Sequence, residues 1–414
     1  MRHVLMVAFH YPPNAGSSGV QRTLKFSRYV RDFGWQPVVL SAHPRAYPEI
    51  SSEDLGTLPS DVLVVRAFSL DARRHLAIRG SSPGVLGIPD RWLSWWLGAL
   101  PAGLQLVRRH RPAAIWCTYP IATASLIGLS LHRLTGIPWV ADFRDPMIDG
   151  NYPSEKLTRR IHEWIEGRAA ALAARLIFTT SSARRDFLSR HPSVPASRCV
   201  VIPNGYDEPD FAGLSDLARG VCARGRQVRI VHAGFVYQDE RDPRPLLRAL
   251  SRLRKDGRLE SGSLRIDLRA PGTPDYYADL VQSEGLQDVV FILPALPYRE
   301  ALRDSASADA LLLLQGAACN HQIPAKAYEY LRLRRPILAL TPAESETAAL
   351  LDECGGVTRI DLLDEDAIHE RLPSFLESVR QGAHSLPMIE RVARYARHAQ
   401  ARALATCLDE VAGF

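Results

Sequence analysis

Residues 324–340 read PAKAYEYLRLRRPILAL. A polar loop, Asn320-His321-Gln322, leads into Pro324, and proline suits a helix start because its missing N–H would find no partner there. The next backbone N–H groups point out of the helix start, which suits a phosphate. Lys326 adds a positive charge within that first turn. Glu329, three residues on, can accept two hydroxyl hydrogen bonds of the kind a ribose offers. The helix then runs toward a buried strand, PILAL. The stretch therefore predicts an αβ unit whose helix start holds a nucleoside diphosphate by its phosphates and its sugar.

Working outward, the same alternation fills the chain. HVLMVAF (3–9), QPVVLSA (36–42), DVLVVRA (61–67), AAIWCT (113–118), WVADF (139–143), RLIFTT (175–180) and CVVIP (199–203) read as strands buried on both faces. Helix-length segments separate them, the rhythm of a doubly wound parallel sheet. Pro203-Asn204-Gly205-Tyr206-Asp207 is a strong turn signal. The polar run to Gln227 has no clear period. A second series follows: VRIVHAGF (228–235), LRIDLRAP (264–271), VVFILPA (289–295), ADALLLL (308–314) and PILALTP (336–342). Met388 to Ala412 is rich in alanine and arginine and reads as one long helix.

Three further segments carry chemistry-bearing residues. HYPPNAGSSGVQR follows the first strand; Gly16 and Gly19 allow close backbone approach to a ligand, and Arg22 could reach an anion. A flexible loop with glycine turns is the plain alternative. Asp142-Phe143-Arg144-Asp145-Pro146 ends another buried strand, where α/β sites lie; an Asp/Arg ion pair that only caps the next helix competes with a site there. Gly234 and Arg241 open the second series. Arg241 is either a phosphate ligand or a surface salt-bridge partner of Asp239, Glu240 or Asp242.

The stretch at 324–330 resembles the nucleotide-sugar site of the family 4 glycosyltransferases, the retaining GT-B enzymes, in the branch reading P-x-K-x-x-E-Y. The family's lysine falls on Lys326 and its ribose-binding glutamate on Glu329; where most of the family has a first glutamate, this chain has His321. The resemblance implies two Rossmann-like α/β domains facing across a cleft, with a C-terminal helix crossing back to the first. The expected limits are 1–205 for the acceptor side, 206–387 for the donor side and 388–414 for the returning helix. Donor binding is expected at Gly16, Gly19, Arg22, Gly234, Arg241, His321, Pro324, Lys326 and Glu329. Asp142, Arg144 and Asp145 would orient the acceptor or the reacting sugar, with Arg144 where many relatives have histidine. The family implies catalysis without a metal or other cofactor.

Composition narrows the alternatives. The chain has 414 residues, two to three ordinary domains, with 46% hydrophobic and 23% charged residues. It carries a net charge of +6 and a pI near 9.1. Its four lysines, Lys25, Lys156, Lys255 and Lys326, leave most of the positive charge to arginine. Those arginines are interleaved with acids, which argues against a nucleic-acid partner. Six scattered cysteines form no C-x-x-C pair and point to reduced thiols, without a zinc or disulfide framework. The first apolar run is too short for a signal peptide, and no run is long enough to span a bilayer. Asp364-Glu365-Asp366 precedes a helical pattern and reads as a cap before it reads as a metal site.

WLSWWLGALPAGLQLV (92–107) has no charge and holds three of the seven tryptophans. It reads equally as a peripheral membrane contact through Trp92, Trp95 and Trp96 and as a core helix interrupted at Pro101. With these features, the resemblance implies a cytoplasmic or membrane-peripheral transferase. It would move a sugar from a nucleotide-diphosphate donor to a glycan or lipid-linked acceptor, in bacterial surface-polysaccharide synthesis. A nucleotide-sugar epimerase of the same fold and a transferase with a soluble acceptor are the alternatives.

Overall fold

Alternate residues of the apolar runs enter opposite faces of a sheet, as a strand's period of two requires. In β1 (Arg2–Val7), Val4 and Met6 pack on one face, and Leu5 and Val7 on the other. In the run Ala310–Leu314, Leu312 and Leu314 take one side, Leu311 and Leu313 the other. The structure, a computed structural model, describes residues 1–15, 19–51, 58–59, 61–76, 87–150, 152–214, 227–238 and 240–413. The chain divides into two units, Met1–Asn204 with Arg397–Phe414, and Gly205–Ala396.

The first unit adds β2 (Trp35–Ala42), β3 (Leu63–Ala67), β4 (Ala114–Thr118), β5 (Trp139–Phe143), β6 (Arg175–Phe178) and β7 (Cys199–Val201). The order is β3-β2-β1-β4-β5-β6-β7, parallel throughout. Helices Gly19–Tyr29 and Arg397–Ala412 pack together. The latter covers Val4 and Met6 with Ala401, Leu404 and Leu408. The opposite face is covered by Ser94–His110 and Ala122–Thr135.

The second unit contains β8 (Val228–Ala233), β9 (Leu264–Arg269), β10 (Val290–Leu293), β11 (Ala310–Leu314), β12 (Ile337–Leu340) and β13 (Val357–Ile360). Its order is β10-β9-β8-β11-β12-β13, again parallel. Both units are therefore Rossmann-like α/β sheets. Each has a switch point where the strand order reverses, between β1 and β4 and between β8 and β11.

Three sequence expectations are corrected here. β13, reading VTRI, is short and half polar, and periodicity does not reveal it. The segment 388–412 is not one helix. Ala396 has extended backbone and bridges to Tyr206, Val392 is buried in the second unit's core, and Tyr395 Oη donates to Glu353 at 2.9 Å. Only Arg397–Ala412 belongs with the first sheet, so residues 388–396 stay with the second unit.

The tryptophan segment is the third. Ser94–His110 is one helix that runs through Pro101. Trp95 is fully buried. Trp92 donates its indole N–H to Ala46 O at 2.9 Å and Trp96 donates to Ser130 Oγ at 3.0 Å. Trp95 is thus a core residue, whereas Trp92 and Trp96 are half-buried and hydrogen-bonded within the first unit. Among the described residues no helix is long and apolar enough to cross a membrane.

Candidate functional site

Open parallel sheets bind ligands beyond the carboxyl ends of their strands at the switch point. In the second unit that place is occupied by Gly234, directly after β8, and by the loop from β11 to the helix Ala325–Leu333. Gly234 has φ of 107°, and a Cβ there would lie 3.1 Å from Lys326 Nζ. Both the backbone conformation and the close approach of the lysine require glycine.

Lys326 Nζ lies 3.0 Å from His232 Nε2. The other ring nitrogen of His232, Nδ1, is 2.9 Å from Leu312 O. A carbonyl can only accept, so Nδ1 carries the proton and Nε2 accepts from the lysine. Burial, then the Lys326 charge, hold His232 neutral, well below its ordinary range. Burial, then the Arg241 charge, pull the Lys326 ammonium down to about 7, against the opposing pull of Glu329. Lys326 and Arg241 thus bring more positive charge into a poorly solvated place than Glu329 offsets. A phosphate would supply what both lack.

Arg241 is held by its surroundings and not by a carboxylate among the described residues. Its backbone N–H donates to Tyr237 O at 2.8 Å and Nη1 donates to Phe235 O at 3.0 Å, with the guanidinium over the Tyr237 ring. Asp242 pairs with Arg244 instead. Asp239 lies outside the described residues. Glu329 accepts from Tyr298 Oη at 2.9 Å, which fixes one carboxylate oxygen and orients the other. Pro324 sits at the N-cap with extended backbone, one position before the helix. His321 lies in the preceding turn, partly exposed.

In the first unit the switch point gathers a different set. Gly19 begins the helix Gly19–Tyr29, and a Cβ there would lie 1.9 Å from Arg144 Nη1 and 3.0 Å from His10 Nδ1. Arg144 bonds Asp145 Oδ2 through Nε at 3.1 Å and Nη2 at 2.6 Å, leaving Nη1 buried without a partner among the described residues. Burial, then the Arg144 charge, pull His10 down to about 3, so its imidazole is neutral. Gly16 lies outside the described residues.

Arg22 and Asp142 do not join this group. Arg22 Nε and Nη2 meet Asp142 Oδ2 and Oδ1 at 2.9 and 3.0 Å, and both side chains are essentially inaccessible. Arg22 also donates to Ile202 O and Pro203 O at 3.0 and 3.1 Å. Their charges are spent on each other and on the chain leaving β7, which corrects the donor-binding role of Arg22 and the catalytic role of Asp142. Asp364 accepts from Ala367 N at 2.8 Å as a helix cap, and Glu365 and Asp366 meet Arg252. His10, His232 and Tyr298 escaped the sequence reading. Only the placement of His10 at the end of the first strand offered a signal.

Residues 18–205 match the glycosyl transferase 4-like domain. Over 201 residues the chain is 28% identical to the D-inositol 3-phosphate glycosyltransferase of Kineococcus radiotolerans, 47% of this chain and 45% of that protein. The match thus spans less than half of that relative's length. Among solved structures, Anabaena HepE in complex with UDP and glucose superposes with a TM-score of 0.66 at 14% identity, covering 99% of each chain. A UDP-N-acetylglucosamine 2-epimerase superposes at 0.54, also 14% identical, over 100% of this chain and 97% of that one. At such identities the likeness is one of fold. Over residues 18–205 the chain is similar to the glycosyl transferase 4-like domain, and its two Rossmann-like sheets share the fold of these solved structures.

Proposed function

We propose that this protein is a glycosyltransferase that moves a sugar from a nucleoside-diphosphate sugar to an acceptor hydroxyl. The observation that carries the reading is the cluster of Lys326, His232, Gly234 and Arg241 at the β8/β11 switch point. It is a paired-cation site at a helix start, with glycine where the backbone must come close. HepE, solved in complex with UDP and glucose, has the same fold. Glu329, oriented by Tyr298, is the partner for the ribose hydroxyls.

In this mechanism Lys326 and Arg241 stabilise the negative charge that gathers on the leaving phosphate as the anomeric C–O bond breaks. A phosphate oxygen takes the acceptor's proton while the acceptor oxygen bonds to the anomeric carbon, with retention of configuration. The two cations do the work that a divalent ion would otherwise do, so the reaction runs without metal. In the first unit, Arg144 with Asp145, beside neutral His10, orients the acceptor. A lipid-linked saccharide in bacterial surface-polysaccharide assembly, at the cytoplasmic face of the membrane, is the acceptor class proposed.

The test is incubation with nucleotide sugars and lipid-linked acceptors in EDTA, with the product's anomeric configuration read by NMR. Transfer with retention supports the reading. An epimerised sugar nucleotide formed without acceptor would replace transferase by epimerase, and strict dependence on added Mn²⁺ would remove the metal-free mechanism.

A further inference from the structure

The first unit contains a cavity of about 590 Å³ between the helices Ser94–His110, Ala122–Thr135 and Lys156–Leu172, lined by none of the residues assigned above to a reaction. That volume lies within the roughly 300–1,000 Å³ of small-molecule pockets. Its wall includes Leu76, Leu97 and Trp164, which are 38%, 63% and 46% exposed. The wall's hydroxyls are already engaged. Ser130 Oγ accepts from Trp96 and donates to Leu126 O, and Ser94 Oγ accepts from Leu70 N and donates to Leu70 O. A ligand finds little to hydrogen-bond inside, so its buried part must be hydrocarbon.

The rim has the opposite character. Trp164 lies one turn from Arg160 and one turn from Arg168 on the same face of its helix. Arg168 stacks on the Trp164 ring. Arg133 lines the cavity. Among the described residues none of Arg133, Arg160 and Arg168 meets a carboxylate, because nearby Glu163 is taken by Arg159 and Glu166 by Arg190 and His191. Three unneutralised guanidiniums around an apolar opening, with a tryptophan at its lip, complement an anionic head on a hydrocarbon chain.

We infer that this cavity takes the hydrocarbon chain of an anionic membrane lipid, whose head group rests on Arg133, Arg160 and Arg168. The site shares Trp96 with the tryptophan segment singled out in the sequence, but Trp95 is core and Trp164, on another helix, supplies the exposed ring. It stands independently of the nucleotide reading.

The experiment is flotation of the full chain with phosphatidylcholine vesicles, with and without about 30% phosphatidylglycerol, together with tryptophan quenching by lipids brominated along the chain. The expected result is flotation only with the anionic vesicles, weakened by salt, and quenching by brominated chains. Leu97→Glu, and separately Arg160→Glu with Arg168→Glu, should each reduce bound protein by roughly tenfold or more. An unchanged circular dichroism spectrum and melting temperature would show that the variants fold; should Leu97→Glu unfold, Trp164→Ser, at an exposed position, takes its place. Absence of flotation with anionic vesicles, wild-type flotation by the folded variants, or sedimentation as a dimer that buries Trp164 would each overturn the inference.

Discussion

Lys326 Nζ and His232 Nε2 stand 3.0 Å apart, joining a helix start to the strand β8 across 94 residues of sequence. The tautomer of His232 is set by Leu312 O on the neighbouring strand β11, so one backbone carbonyl decides that the histidine accepts from the lysine. The lysine is held in place yet keeps only a weak grip on its proton, since its ammonium titrates near 7 and not at the ordinary 10.5.

That titration gives a pH dependence with a definite sign. A bound diphosphate favours the charged ammonium, so UDP affinity should fall as pH rises from about 7, approaching about tenfold per unit. Calorimetry in buffers of different ionisation enthalpy should show proton uptake on binding near pH 8. Without ligand, the unfolded chain holds the extra proton between about 7 and 10.5, so this group's contribution to stability rises with pH across that window. Lys326→Arg should flatten the binding profile; an unaltered slope in that variant would assign the dependence elsewhere.

His232→Phe removes both hydrogen bonds of the imidazole. Leu312 O then lies buried without a donor, a cost of about 1–3 kcal/mol in urea unfolding. Lys326 loses its anchor, and UDP should bind roughly tenfold more weakly, about 1.4 kcal/mol. Affinity equal to wild type in a folded variant would show that the contact does not position the lysine.

Gly19→Ala places a methyl group where Arg144 Nη1 now lies. The arginine can swing away, so the melting temperature should change little, whereas transfer should fall by about tenfold or more because the acceptor-orienting group has moved. Full activity in Gly19→Ala would detach Arg144 from the reaction.

Asp142→Ala strands Arg22 in the interior and should cost about 3–5 kcal/mol, measured by denaturant unfolding. Arg22→Met with Asp142→Leu should recover much of that loss. A variant that keeps wild-type stability but loses turnover would return Asp142 to the chemistry.

The strands could be read because buried parallel strands are nearly continuous apolar runs; Leu311 to Leu314 serve both faces of their sheet, and no polar alternation was needed. Lys326 and Glu329 could be read because a helix start and a three-residue spacing are local. What escaped depends on distant pairing. His232 gains its role only when β8 lies beside β11, and Arg22 finds Asp142 across 120 residues. Alanine and arginine favour helix through 388–412, and the break at Ala396 comes from its pairing with Tyr206, which no local preference encodes.

The most direct test of the nucleotide reading is calorimetric titration of UDP, at pH 7, into the wild type and into Lys326→Ala. The account predicts saturable one-site binding to the wild type and binding weaker by about tenfold to a hundredfold in the variant, the loss of one charge-assisted contact of about 1.5–3 kcal/mol. Equal affinity in a folded Lys326→Ala, or no binding by the wild type, would contradict it.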